Sequence, residues 1–207
     1  MVDKEAKDHW ESVYATKTPA EVSWTEVKPE YSLALIEGSV TSKNSPIIDV
    51  GGGDSLLVDF LLAADYKDIT VLDISPTAIK RAQKRLGEKA NSVNWIVTDI
   101  VNFKPARHYE IWHDRAAFHF LTTDQQKARY KSLVDKAIIT GHLILGTFST
   151  SGPIKCSGLP VQQYDASSLS RAFSDSFAMT KHFYADHVTP FQTRQNFLFA
   201  DFIKTLQ

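Results

Sequence analysis

The chemistry of this chain starts at a glycine turn set between carboxylates, Asp49-Val50-Gly51-Gly52-Gly53-Asp54-Ser55, and at two further acids, Asp73 and Asp99, each at the end of a short apolar run. Glycines let a backbone come within contact distance of a ligand, and the N–H groups of the helix that follows then face whatever sits there. Asp49 and Asp54 make the turn a poor seat for a pyrophosphate and a better one for a cationic or zwitterionic ligand. The pattern G-x-x-x-x-G-K-[ST] is absent, and the third glycine of G-x-G-x-x-G would fall on Leu56. Asp73 stands 24 residues beyond Asp49, where a carboxylate accepts from both hydroxyls of a ribose. A similar acid occurs in NAD-binding units, so Asp73 alone does not separate two nucleoside ligands, and capping of the helix at Pro76 is its plainer role.

These residues need strands to carry them. Apolar runs bounded by turn residues predict strands over 46–50, 68–73, 93–97, 109–113 and 141–148. Helices are expected over 3–16, from Tyr31, and over 56–62, 76–86, 124–138 and 166–173, with Thr123 as a cap. Repeated β-α units of this spacing imply an α/β fold, a doubly wound, mainly parallel sheet with helices on both faces and ligands at the strand C-termini. The ending differs: 177–188 and 194–204 alternate like strands across a short connection, an antiparallel hairpin that brings the sheet to seven strands. Segment 149–163, longer than most connections, is expected to cover the substrate, and 1–30 to supply an N-terminal helix and a lid to one domain over 1–207.

The turn resembles the D-x-G-x-G-x-G motif of class I S-adenosyl-L-methionine (AdoMet) methyltransferases, with Asp49, Gly51 and Gly53 in place and Ser55 where the last glycine usually stands. That family has a Rossmann-like doubly wound sheet closed by an antiparallel hairpin. The resemblance implies that Asp99 accepts from the adenine amino group while the Ile100 N–H meets the ring. It extends to Trp112-His113-Asp114-Arg115-Ala116-Ala117-Phe118-His119-Phe120-Leu121-Thr122, which resembles a W-H-D-R-A-x-F-H-F-L-T signature of a group of small bacterial methyltransferases. Glu21-Val22-Ser23-Trp24, the stretch 152–161, and His187-Val188-Thr189-Pro190 with Gln195-Asn196-Phe197 match the same group, Phe191 replacing a glycine. The implied cofactor is AdoMet, leaving as S-adenosyl-L-homocysteine, held by Trp24, Asp49, Gly51, Gly52, Gly53, Ser55, Asp73, Ile74, Asp99, Ile100 and Asp114.

In-line methyl transfer requires a desolvated, aligned nucleophile and sometimes a base. His119 and His113 are candidate bases, against structural roles at the end of a buried strand. Asp114 is expected at the rim, holding the AdoMet amino group or a substrate amine, with a salt bridge to Arg115 as the alternative. Trp24 forms an aromatic wall beside the sulfonium or simply packs a lid, and Trp10 reads as core. Cys156 and His187 lack metal-ligand spacing, so no metal is expected.

Composition narrows the partners. With 23 basic and 24 acidic residues and no basic run, nucleic acid is disfavoured, and a small-molecule acceptor is expected, with a protein lysine as the alternative. A non-catalytic AdoMet or NAD module is the reading from outside enzymology. The charged start, and the lack of an apolar run of roughly 18–20 residues, point away from a membrane and towards the cytoplasm. One cysteine excludes an internal disulfide.

Overall fold

Residues 47–50 and 69–73 are buried at every position, as in strands covered on both faces. The structure, a computed structural model, describes residues 2–205. Met1, Leu206 and Gln207, included in the 1–207 domain expectation, lie outside the described residues. Five parallel strands, β1 (Ile47–Val50), β2 (Ile69–Asp73), β3 (Val93–Val97), β4 (Ile111–Arg115) and β5 (His142–Phe148), form one side of the sheet. The short pair β6 (Lys155–Cys156) and β7 (Leu159–Pro160) stands apart. The antiparallel hairpin β8 (Phe177–Val188) and β9 (Arg194–Lys204) completes a seven-stranded sheet of order β3-β2-β1-β4-β5-β9-β8. The order reverses direction between β1 and β4, which opens a crevice at their C-terminal ends.

Helices α1 (Val2–Thr16), α2 (Glu30–Ser39), α3 (Leu57–Ala63), α4 (Pro76–Leu86), α5 (Asp124–Ala137) and α6 (Ala166–Phe173) cover the sheet. Successive strand residues point to opposite faces. Ile48, Val50, Trp112, Leu143 and Leu145 accordingly meet Tyr130 and Val134 of α5 and Leu169 and Phe173 of α6. Ile47, Val71, Ile111 and Ile144 meet Leu35 and Ile36 of α2 and Leu57 and Leu61 of α3. None of the described helices is long and apolar enough to cross a membrane.

Local chemistry sets the ends. The Ser75 side chain caps α4 by accepting from the Ala78 N–H, with Pro76 in the first turn. Thr123 and Gln126 form a capping box on α5. Two expectations shift. The fourth strand runs over Ile111–Arg115 rather than 109–113, because β4 aligns Ile111 with Ile47 and its polar residues His113 and Asp114 find buried partners. Segment 149–163 is not wholly irregular: β6 and β7 pair across Ser157 and Gly158, whose positive φ values of 50° and 81° suit a tight hairpin turn.

Candidate active site

At the C-terminal ends of β1, β2 and β4 lies a cavity of about 460 Å³. The glycine turn is its floor. Gly51 has φ 68°, and a Cβ there would stand 2.8 Å from the Ala117 Cβ, so the β1 turn and the segment after β4 approach as only glycine allows. Gly53 has φ 50°, and its Cβ would meet the Tyr14 hydroxyl at 2.6 Å. Gly51 and Gly52 donate their N–H groups to the Leu72 carbonyl, while Arg85 donates to the carbonyls of Asp54 and Ser55. The turn is therefore held in shape by its neighbours in β2 and α4.

Asp49, Asp73 and Asp99 stand round this floor, with Asp54 in the turn itself. Asp73 is 4% exposed; its Oδ1 accepts from the Ser75 N–H at 2.8 Å. Burial raises its pKa from 3.8 to about 7, with Asp54 and Asp49 adding to the rise against hydrogen bonds from the Ser75 and Gly53 N–H groups. Asp99 accepts from the Val101 N–H at 3.1 Å. Asp49 accepts from His113 Nδ1 at 2.7 Å, its cross-strand neighbour in the parallel register, and His113 Nε2 faces Ser32 Oγ at 2.8 Å.

The roof is aromatic. Trp24 stands edge-on to Trp10 and Tyr14, at centroid distances of 5.6 and 6.2 Å, and Trp10 reaches Phe120 at 5.0 Å. Trp10 thus lines the cavity instead of packing into the core, because α1 is anchored against the start of α4 by Glu11, which accepts from Ser75 Oγ at 2.6 Å.

Of the expected site residues, Trp24, Asp49, Gly51, Gly52, Ser55, Asp73, Ile74, Asp99, Ile100 and His113 line the one cavity. Gly53 sits just behind its wall, against Tyr14 and Asp73. Asp114 and His119 are placed elsewhere. Asp114 is fully buried on the α5 face: Oδ1 accepts from the Ala117 and Phe118 N–H groups, and Oδ2 from the Tyr130 hydroxyl at 2.6 Å. The alternative, a salt bridge to Arg115, does not form, since adjacent strand residues face opposite ways, and Arg115 pairs with Glu26 instead. His119 is also fully buried, between Phe120 and Phe148; burial, then the charge of Arg115, holds its pKa near 3.

That environment makes a prediction. A histidine lowered from 6.5 to about 3 folds neutral, so it contributes stability above pH 6.5 that is lost as pH falls towards 3. His119→Phe is expected to flatten this part of the acid-denaturation curve, which costs about 1.4 kcal/mol per pH unit in the native chain, while ligand affinity at pH 8 stays unchanged. Urea titrations of both proteins between pH 4 and 8 check it; parallel curves would refute it.

Tyr14, Glu26, Ser32 and Arg115 line the cavity as well, without a local sequence signal. They come from α1, the lid, α2 and β4. His187 Nε2 donates to the Ser23 carbonyl at 2.7 Å and Arg115 Nη1 to the Trp24 carbonyl at 3.1 Å, so β4 and β8 both tie down the 22–26 segment. Cys156 lines the cavity at 5% exposure, its thiol pushed up to about 11 by burial. Among the described residues no cluster of His, Cys, Asp and Glu is placed to hold a metal ion.

Residues 47–135 match a family model described as a methyltransferase domain. Malonyl-[acyl-carrier protein] O-methyltransferase 1 of Ilyobacter polytropus is 29% identical over 115 residues, 55% of this chain and 41% of that protein. Nodulation protein S of Sinorhizobium fredii is 26% identical over 116 residues, 56% of this chain and 51% of that protein. The chain thus spans about half or less of the length of these curated relatives. The crystal structure of the N-methyltransferase NodS from Bradyrhizobium japonicum WM9 with S-adenosyl-L-homocysteine superposes with a TM-score of 0.72 over 98% of both chains, at 17% identity.

Proposed function

We propose that this protein is an AdoMet-dependent methyltransferase acting in line on a nucleophilic atom of a small-molecule acceptor. One observation carries the reading: the glycine turn and the acids Asp73 and Asp99, from the ends of three successive strands, converge on one cavity roofed by Trp10, Tyr14 and Trp24. The methyltransferase-domain match over 47–135 supports it.

The residues present fit such a ligand. Asp73 would accept from the ribose hydroxyls, donors that offset the burial and the neighbouring Asp54 and Asp49 charges that raise its pKa. Asp99 and Ile100 would hold the adenine, and Ile74, Asp49, Gly51, Gly52 and Ser55 would complete the seat. Trp24 would offer its ring to the sulfonium. AdoMet, when bound, supplies an activated methyl group and departs as S-adenosyl-L-homocysteine. The chain's part is to exclude water and align the acceptor. Of the three candidate catalytic groups only His113 lines the cavity, and both its ring nitrogens are engaged, by Asp49 and Ser32. Asp114 and His119 serve the fold.

Enclosure by the lid and the β6–β7 hairpin favours a small acceptor over a protein lysine. A cytoplasmic location goes with this reading, its one cysteine being buried as a free thiol. Calorimetric titration with AdoMet, S-adenosyl-L-homocysteine and NAD is the test. Micromolar binding of the first two and none of NAD is expected, followed by transfer of labelled methyl into low-mass cell extract rather than into protein; binding of NAD alone, or of none, overturns the proposal.

A further inference from the structure

Arg115 ends β4 inside the cavity wall, its side chain 11% exposed. Nη1 is committed to the Trp24 carbonyl, and the guanidinium lies over the Phe197 ring at 4.7 Å. Nε and Nη2, which share one edge of the planar group, find no hydrogen-bond acceptor among the described residues. Glu26 Oε2 is 3.2 Å from Nε, close enough for ion pairing but out of line for a hydrogen bond. Buried cationic donors are ordinarily satisfied, so an open guanidinium edge in a cavity wall calls for a ligand.

The surroundings define that ligand. Burial, then the charge of Arg115, holds both His119 and His187 below the usual histidine range, and burial keeps the Cys156 thiol protonated. Arg115 therefore remains the positive group among these neighbours. Two parallel N–H bonds along a guanidinium edge match the two oxygens of a carboxylate. A dianion fits poorly, because Glu26 and Asp49 both act on Arg115.

We propose that the Nε–Nη2 edge of Arg115 receives a ligand carboxylate, displacing Glu26. The proposal rests on the cavity being the AdoMet site. The carboxylate belongs either to the amino-acid end of the cofactor or to a carboxylic-acid acceptor, and both present the same group to Arg115.

The experiment separates the two sources. Native protein, Arg115→Met and Glu26→Gln are titrated with S-adenosyl-L-homocysteine and with 5′-methylthioadenosine, which lacks the amino-acid end; each protein saturated with S-adenosyl-L-homocysteine is then titrated with benzoate. If the cofactor supplies the carboxylate, Arg115→Met loses at least about tenfold in affinity for S-adenosyl-L-homocysteine and less than about twofold for methylthioadenosine. If the acceptor supplies it, benzoate binds the saturated native protein, at least about tenfold more weakly to Arg115→Met and more tightly to Glu26→Gln. Equal losses for both nucleosides, or no change in any titration, overturn the proposal. Should Arg115→Met fail to fold, Glu26→Gln decides: tighter binding of S-adenosyl-L-homocysteine or benzoate supports the site, and unchanged binding of both removes it. Should native protein ignore both nucleosides, the methyltransferase reading fails by itself, and benzoate titration of ligand-free native protein and Glu26→Gln still decides whether Arg115 takes a carboxylate.

Discussion

Asp73→Asn is expected to weaken AdoMet binding by about 2–3 kcal/mol, the scale of hydrogen bonds to a charged acceptor, or roughly 30–160-fold in Kd. The asparagine keeps an acceptor for the Ser75 N–H but loses the second charged oxygen for the ribose. Its pH behaviour is equally diagnostic. In the ligand-free protein burial raises Asp73 to about 7, and hydroxyl donors favour the carboxylate, so binding expels a proton below that pH. Native affinity should therefore fall about tenfold per pH unit below 7, level off above it, and be nearly flat for Asp73→Asn.

Stability has the opposite sign. A carboxyl whose folded pKa exceeds its value of 3.8 contributes stability that is full below 3.8 and is lost as pH rises through about 7. Ligand-free Asp73→Asn should lack that decline and be more stable than native protein at pH 8. Calorimetry in buffers of different ionisation enthalpy reads the proton, and urea titration reads the stability. Affinity independent of pH from 5.5 to 8, with no proton released, would remove Asp73 from the ribose.

Tyr130→Phe is expected to destabilise the fold by about 3–4 kcal/mol, because one hydroxyl satisfies two buried groups. It donates to Asp114 Oδ2 at 2.6 Å and accepts from Trp112 Nε1 at 3.0 Å, and all three residues are fully buried. Phenylalanine fills the space and leaves an indole N–H and one side of a buried carboxylate without partners. At about 2–4 °C per kcal/mol for a chain of this size, Tm should drop by roughly 6–16 °C. AdoMet affinity at a temperature where both proteins are folded should stay within about twofold. Thermal unfolding and calorimetry on the same samples decide between roles: a large loss of affinity with little loss of stability would return Asp114 to the ligand.

Local regularity made most of the scaffold legible. The helix over 76–86 and the strands over 93–97, 177–188 and 194–204 stand where periodicity, Pro76 and the turn residues place them. Glycines followed by acids at strand ends located the cavity floor, because a parallel sheet delivers every strand end to the same edge. The 109–113 strand slipped by two residues because hydropathy does not register that His113 and Asp114 are buried with partners.

What the chain determined alone was whatever follows from near neighbours: the glycine turn, the helix caps, the alternation that fixes each strand, and hence Asp49, Asp73 and Asp99 around one floor. Tertiary structure decided the rest. Asp114 and Arg115 are adjacent in sequence, yet the pleat sends the first to Tyr130 and the second to Glu26, separated from them by 16 and 89 positions. The cavity roof combines α1, the lid and the segment after β4, and the lid is fastened by His187, 164 positions from Ser23. Such contacts depend on which surfaces the sheet order brings together, and short-range propensity carries no information about that.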